Sequence, residues 1–390
     1  MVAAFVDMAG LLMVLPLLPF YALEMGGTGM VVGVLVSSYA IAQLISAPLW
    51  GRVSDRYGRR PALLIGLSFS AVAYIIFAFA GSLSVLLLSR VVQGAGGGTT
   101  GVIQAYVADA SEPENRARAL GWISAATNAG VAIGPVIGSL TFTFGPAAPG
   151  LFAAGLCLIN IVFAWKFLRE SHNERGGDIE TRVLRSHEAV WGVVRNSSEP
   201  ASRLIWIYAI AMGAFQGTTA ILALFLAFRF GVDERTIGWF FMYIGVISVI
   251  TRAGVLGPLV DRFGEARLSR VGTVLLALGL ATIPFTHGYP TLALAVALLP
   301  LGTAFTFPCI TSLLSRVIRQ HERGLYMGVQ QTFGGLARVA GPLAGGWAYD
   351  HLGVGVPFWG AAVLVIGTLL LGFGMGEYGR TKPAPAAALT

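Results

Sequence analysis

Apolar and polar residues alternate along this chain on the scale of whole helices. Twelve mostly apolar runs, near 2–23, 31–50, 62–80, 83–108, 119–144, 148–168, 203–230, 235–258, 268–286, 289–317, 324–349 and 354–375, are separated by shorter polar intervals. A bilayer core about 30 Å thick needs roughly 20 apolar residues in helical form. Inside lipid a helix satisfies its own backbone hydrogen bonds, so each run predicts one spanning helix. A transmembrane β-barrel would instead show segments of about ten residues alternating in polarity, which is not the pattern here. The predicted fold class is an all-α membrane protein of twelve transmembrane helices.

The polar intervals repeat. GRVSDRYGRRP at Gly51 to Pro61 returns in worn form as GPLVDRFGEAR at Gly257 to Arg267, an offset of 206 residues. Gly51, Asp55, Arg56 and Gly58 thereby match Gly257, Asp261, Arg262 and Gly264. ENRARALG, ending at Gly121, corresponds to HERGLYMG, ending at Gly328, and GPVIG at Gly134 to Gly138 to GPLAG at Gly341 to Gly345, both offset by 207. Three matches in register predict two pseudo-symmetric six-helix bundles, 1–168 and 203–390. The longest polar stretch, 169–202, joins them. In it Ile179, Val183, Val190 and Val194 recur roughly every four or seven residues beside Trp191, with Arg182 and Arg185 between; this fits a helix on the inner membrane surface and equally a partly ordered linker. The tail TKPAPAAALT is expected to be disordered. Parallel six-helix repeats with a substrate site near the midplane are the arrangement of major facilitator transporters.

Composition agrees. At 55% hydrophobic and 12% charged residues, with a mean hydropathy of +0.74, a soluble domain would expose large apolar surfaces. The net charge of +7 raises the question of nucleic acid, but the 26 Lys and Arg are sorted by side instead. Placing Gly51 to Pro61 in the cytoplasm puts 21 of them inside and only Arg229 and Arg235 outside; Arg90, Arg252 and Arg338 fall within apolar runs. That is the positive-inside pattern, with both termini cytoplasmic in the plasma membrane and no clustered basic face for nucleic acid. Cys157 and Cys309 both fall within predicted helices and the five His are scattered, so no disulfide framework, metal site or cofactor is expected. The first run lacks a basic leader and is too long for a cleaved signal; Met1 stands almost inside it, consistent with a natural chain that begins earlier.

FVDMAGLLMVLPLLP in the first run, GRVSDRYGRRP after the second, SRVVQGAGGG leading to AYVADASEPENRARALG in the fourth, and NAGVAIGPVIG in the fifth carry a resemblance. From end to end the chain resembles the twelve-helix drug/proton antiporters of the major facilitator superfamily, most closely those related to the tetracycline exporters. The resemblance implies a monomeric transporter of a small molecule and protons. It implies that Asp55 meets Arg59 and Asp109 while facing the start of the eleventh helix, latching the outward-facing state. Arg90 is linked to proton transfer in the family, and Gly130, Gly134, Pro135 and Gly138 to a seal against leakage. The counterpart motif in the second half brings in Asp261 and Arg262. Asn115 departs from the pattern, since relatives often carry an acid there.

Asp7 is the only acid well inside an apolar run, where a carboxylate costs several kcal/mol unless protonated or paired. It is the candidate proton-coupling or substrate-sensing acid, with hydrogen bonding for packing, or an interfacial position, as the structural alternatives. By rise per residue it lies about 9 Å from the inner end of its helix and Arg90 about 27 Å along its own. Direct pairing is therefore not expected, and Gln104 is nearer in depth to Asp7. The alternative for Arg90 is snorkelling to the outer surface. Candidate cavity residues are Gln93, Gln104, Tyr208, Phe215, Gln216, Phe305, Phe307, Gln330, Gln331 and Arg338, about half of them packing residues. Two Arg against one Asp would favour neutral, zwitterionic or anionic substrates over simple lipophilic cations. The expected function is proton-coupled export of small amphipathic molecules. A symporter or uniporter of the same fold, and a receptor or scaffold that has lost transport, are the alternatives; no catalytic constellation is visible.

Overall fold

A computed structural model describes residues 1–168, 170 and 188–372, and among these it contains helices and no strand. The helices are α1 (Val2–Val14), α2 (Leu18–Glu24), α3 (Gly29–Tyr57), α4 (Arg59–Ala78), α5 (Leu83–Ala95), α6 (Thr99–Ala110), α7 (Pro113–Phe142), α8 (Ala148–Phe167), a short α9 (188–195) and α10 (Pro200–Phe230). There follow α11 (Ile237–Ile250), a π-helical stretch (Thr251–Val255), α12 (Leu256–Phe263), α13 (Glu265–Thr282), α14 (Tyr289–Val317), α15 (Arg323–His351) and α16 (Val356–Leu371).

The described residues of the expected spans are largely helical, and among them nine helices are long and apolar enough to cross a membrane. The fourth span is interrupted and α16 is described for only 16 residues, while α15 falls outside the nine. Three spans are not uniform. The first breaks at Leu15–Leu17, where Pro16 lacks an amide and Pro19 opens the next segment. The fourth breaks at Gly96–Gly98, and the eighth passes through the π-helical stretch.

Contacts group the chain into two units that cut across the sequence halves. The first gathers α1 to α8 with 216–249 and 338–357; the second gathers, of the described residues, 188–215, 250–337 and 358–372. In the first unit α1 lies along α7 and α8, α4 along α8, and α3 along α5. In the second, α13 pairs with α14. A core of Leu204, Ile205, Tyr208, Leu313, Leu314 and Phe333 receives Val193 of α9, while Trp191 stays exposed. Ile179, Arg182, Val183 and Arg185 of the expected surface helix, and the tail TKPAPAAALT, lie outside the described residues.

Candidate functional site

The break in the fourth span organises the first unit's polar centre. Ending α5 at Ala95 interrupts the regular backbone pairing of the helix, and carbonyls of this stretch take donors from a neighbouring helix in a setting without water. Three side chains of α3 supply them. Ser46 donates to the Gly94 carbonyl at 3.0 Å, Trp50 Nε1 to Ala95 at 2.6 Å, and Gln43 Nε2 to Gly97 at 3.0 Å. Because α6 restarts at Thr99, that hydroxyl meets α1 and donates to Asp7 Oδ2 at 3.0 Å. Thr99 is buried, with its methyl against Gly66 of α4.

Around this carboxylate stand Tyr39 of α3, Tyr74 of α4 and Cys157 of α8, each within electrostatic reach of Asp7. Both tyrosines also lie within reach of Arg90, and Tyr39 of Arg338 as well. Arg90 is 1% exposed. Its Nε meets Ser89 Oγ at 3.3 Å, its guanidinium sits 5.3 Å from the Phe77 ring centre, and its Nη2 has no hydrogen-bond partner. Such burial is opposed to snorkelling. One turn on, buried Gln93 donates to Tyr74 Oη at 2.8 Å while its Oε1 is unpartnered.

Among the described residues no ion pair joins Asp7 to Arg90. The partner of Asp7 is Thr99 rather than Gln104, whose side chain is exposed. Depth counted along an unbroken helix misses this, because the turn at Gly96–Gly98 resets the axis. Thr99 carries no charge and no motif, so the only signal for it in the sequence was the run of glycines before it.

At the other end of α6 the loop motif forms a compact ion-pair triad. Gly58, with φ of 103°, allows a sharp turn from α3 into α4 in a backbone region that side chains disfavour. Arg59 then reaches Asp55 Oδ1 at 2.6 Å, Ser54 Oγ at 2.9 Å and Asp109 Oδ2 at 3.1 Å. Arg56 lies over the Tyr57 ring, and Gly51 has open space around it. Glu170 completes the turn by accepting from the Arg59 and Arg60 amides at 2.8 and 3.2 Å, which places a carboxylate on the positive end of α4. Asn115 bonds locally to Glu112 at 3.4 Å.

The second unit inverts this triad. At the offsets of the internal repeat, Glu265 occupies the position of Arg59 and Arg316 that of Asp109. Glu265 accepts from Arg316 and, at 3.1 Å, from Ser312 Oγ. Gly264 repeats the left-handed turn with φ of 77°, and Arg262 lies over Phe263. Asp261 is exposed.

Helix α7 carries Gly130, Gly134 and Gly138 on one face, meeting the carbonyls of Phe5, Ala9 and Met13 of α1. On another face the Pro135 carbonyl and Ala132 receive Gly238 and Gly245 of α11. Ser139 pins the seam, donating to the Glu234 carbonyl at 2.6 Å and accepting from the Gly238 amide at 2.9 Å.

The remaining expected cavity residues are dispersed. Tyr208 and Phe307 stack edge to face at 5.2 Å, and Arg252, exposed, lies within reach of Tyr208. Phe305 is buried with Leu268 and Cys309, which makes it a packing residue. Gln330 is fully buried, accepting from Thr311 at 3.3 Å with an unpartnered Nε2. Gln331 is exposed, and Phe215, Gln216 and Arg338 are half-buried. Metal-binding groups of three or more His, Cys, Asp or Glu do not occur among the described residues.

The sequence matches the family model of the Major Facilitator Superfamily over residues 1–255 and again over 204–388. It is 27% identical to the tetracycline resistance protein, class B, of Escherichia coli over 372 residues, covering 94% of this chain and 91% of that protein. With multidrug resistance protein 2 of Bacillus subtilis the identity is 28% over 393 residues, covering 99% and 95%. The crystal structure of the human organic anion transporter MFSD10 (TETRAN) superposes with a TM-score of 0.69 over 95% of this chain and 97% of that one, at 23% identity. With the family model matched across both halves of the sequence, this chain is a member of the Major Facilitator Superfamily.

Proposed function

We propose that this chain is a proton-driven exporter of small amphipathic molecules, of the multidrug or tetracycline kind, acting as a single chain in the cytoplasmic membrane with both termini inside. The observation that carries this reading is the setting of Asp7. It is the lone acid within the apolar spans, bonded to Thr99 and grouped with buried Tyr74, half-buried Tyr39 and buried Arg90. A carboxylate in such a place is a functional group by default, and one with a neutral donor rather than a salt-bridge partner is free to exchange a proton. The drug-resistance relatives, each matched over nearly the whole chain, favour export over uptake.

In this reading Asp7 takes up and releases the proton, while Arg90 is the fixed positive charge of the same polar cluster. Asp55, Arg56, Gly58, Arg59 and Asp109 form the inner latch, with Asp55 turned to the start of α15 in the outward-facing state; Gly51, Asp261 and Arg262 belong to the same motif and its repeat. Gly130, Gly134, Pro135 and Gly138 hold the α7 seams tight against proton leakage. Gln93, Gln216 and Arg338 in the first unit, and Tyr208, Phe215, Phe307, Gln330 and Gln331 in the second, are the candidates within each unit for meeting the substrate. The test uses inverted vesicles with an acidic interior. Adding a tetracycline or a lipophilic dye is expected to release protons from wild-type vesicles, and Asp7→Asn to abolish that release. A mutant that still exchanges drug for proton removes Asp7 from coupling.

A further inference from the structure

The outer ends of α3 and α15 meet backbone to backbone within the first unit. Gly29 lies against Gly346, Gly33 against the Pro342 carbonyl, and Ser37 Oγ donates to the Val339 carbonyl at 2.7 Å. As the numbers rise along α3 they fall along α15, so the two helices run antiparallel. The amino end of α3 therefore faces the carboxyl end of α15.

That amino end needs acceptors, because the first amides of any helix lack partners within it. Thr28, at the capping position, makes no side-chain bond. Asp350 provides both acceptors: Oδ1 takes the Gly29 amide at 2.8 Å and Oδ2 the Met30 amide at 2.7 Å. Asp350 lies in the last turn of α15, where a negative charge opposes its own helix dipole. The acid is thus poorly placed for α15 and well placed for α3.

Asp55 has the reverse address. It lies in the last turn of α3, again at the unfavourable end of its own helix, and in the alternating-access reading above it serves the amino end of α15. We infer that Asp350 is an outer latch reciprocal to Asp55: each helix of the pair carries, at its carboxyl end, an aspartate for the amino end of the other, and the two latches close in alternation. Asp350 is then the positioning residue that holds the outer side shut, and releasing it is a step in opening outward. The inference rests on the alternating-access reading above, but not on what is transported.

The experiment replaces Cys157 and Cys309 by Ser, adds a Ser37→Cys reporter at the outer α3–α15 seam, and measures labelling by a membrane-impermeant maleimide in right-side-out and inverted vesicles. Neither substrate nor gradient is supplied. Asp350→Ala is expected to speed labelling from the outer side by about 2- to 30-fold, the range that loss of a helix cap implies. Asp350→Asn, which keeps only one of the two acceptors, falls between the parent and Asp350→Ala. Asp55→Ala slows outer labelling, and the Asp55→Ala/Asp350→Ala pair returns it toward the parent rate. Unchanged labelling in Asp350→Ala, or a rise of equal size in Asp55→Ala, overturns the reciprocal latch. Absence of drug-coupled proton release from wild-type vesicles, with the labelling pattern as expected, would count against the exporter reading alone.

Discussion

Thr99 sets the environment of Asp7 without carrying a charge of its own. A hydroxyl donating to a carboxylate stabilises the ionised form, and hydrogen bonds to charged groups are among the stronger ones. The other titratable or charged groups facing Asp7 are Tyr39 on α3, Tyr74 on α4 and Cys157 on α8, with Arg90 on α5 reached through the tyrosines. Thr99→Val preserves shape and removes only the donor. Drug-driven proton release by this variant should fall by about tenfold or more, since a hydrogen bond to a charged group is worth about 1.5–3 kcal/mol. Thr99→Ser should restore the wild-type rate. A rate that is unchanged in Thr99→Val, measured alongside an inactive Asp7→Asn, would assign Thr99 to packing alone. Asp7 was legible in the sequence because an acid among apolar residues is visible without a structure. Thr99 was not, because a threonine beside glycines has no distinctive signature until the break in the helix turns it toward α1.

At the scale of elements, α7 shows how much of a motif is packing. Gly130, Gly134 and Gly138 each stand where a side chain would meet a carbonyl of α1, and at Gly138 an added carbon would overlap that of Met13. Membrane helices associate by close packing rather than by a hydrophobic driving force, so this seam has little room to adjust. Gly138→Val is expected to cost about 1–3 kcal/mol through overpacking, read as a lower midpoint of thermal unfolding in detergent. Gly121→Ala, in the same helix with open space around it, should be neutral or stabilising by up to about 1 kcal/mol. Equal losses at both positions would mean that α7 is sensitive to helix propensity rather than to the seam. The spacing of these glycines was readable in the chain. Their partners were not, since one face of α7 meets α1 and another meets α11, which lies some hundred residues downstream.

The whole molecule repeats a scaffold while inverting its charge. Arg59 pairs with Asp109 in the first half, and Glu265 pairs with Arg316 at the corresponding positions of the second. The helix dipole separates the two arrangements. Glu265 opens α13, where a carboxylate is favourable. Arg59 opens α4, where a cation is unfavourable and Glu170 supplies the missing anion. Exchanging the second pair, Glu265→Arg with Arg316→Glu, should recover more than half of the stability lost in either single variant, with a coupling energy of about 0.5–3 kcal/mol. Recovery should fall short by about 0.3–1 kcal/mol because the dipole at α13 is left uncompensated. Thermal unfolding of the four proteins measures this directly. Additive losses in the double variant would mean that the pair has no energetic role.

Hydropathy and repetition are properties of the chain read in order, so the sequence by itself determined the bilayer as solvent, the helices as its only economical structure there, and the twofold design. It also marked out a lone acid and a charged turn, because polar groups stand out where the surroundings are apolar. Which groups meet across space was decided by the tertiary structure. Thr99 reaches Asp7 over 92 positions, Glu170 reaches the Arg59 amide over 111, and Asp350 reaches Gly29 over 321. Those meetings depend on where a helix breaks, how it is turned about its axis and which helix lies beside it. None of these leaves a local trace, since a buried hydrogen bond needs only a donor and an acceptor at the right place, and serine, threonine, aspartate and bare backbone amides are common at every other place as well.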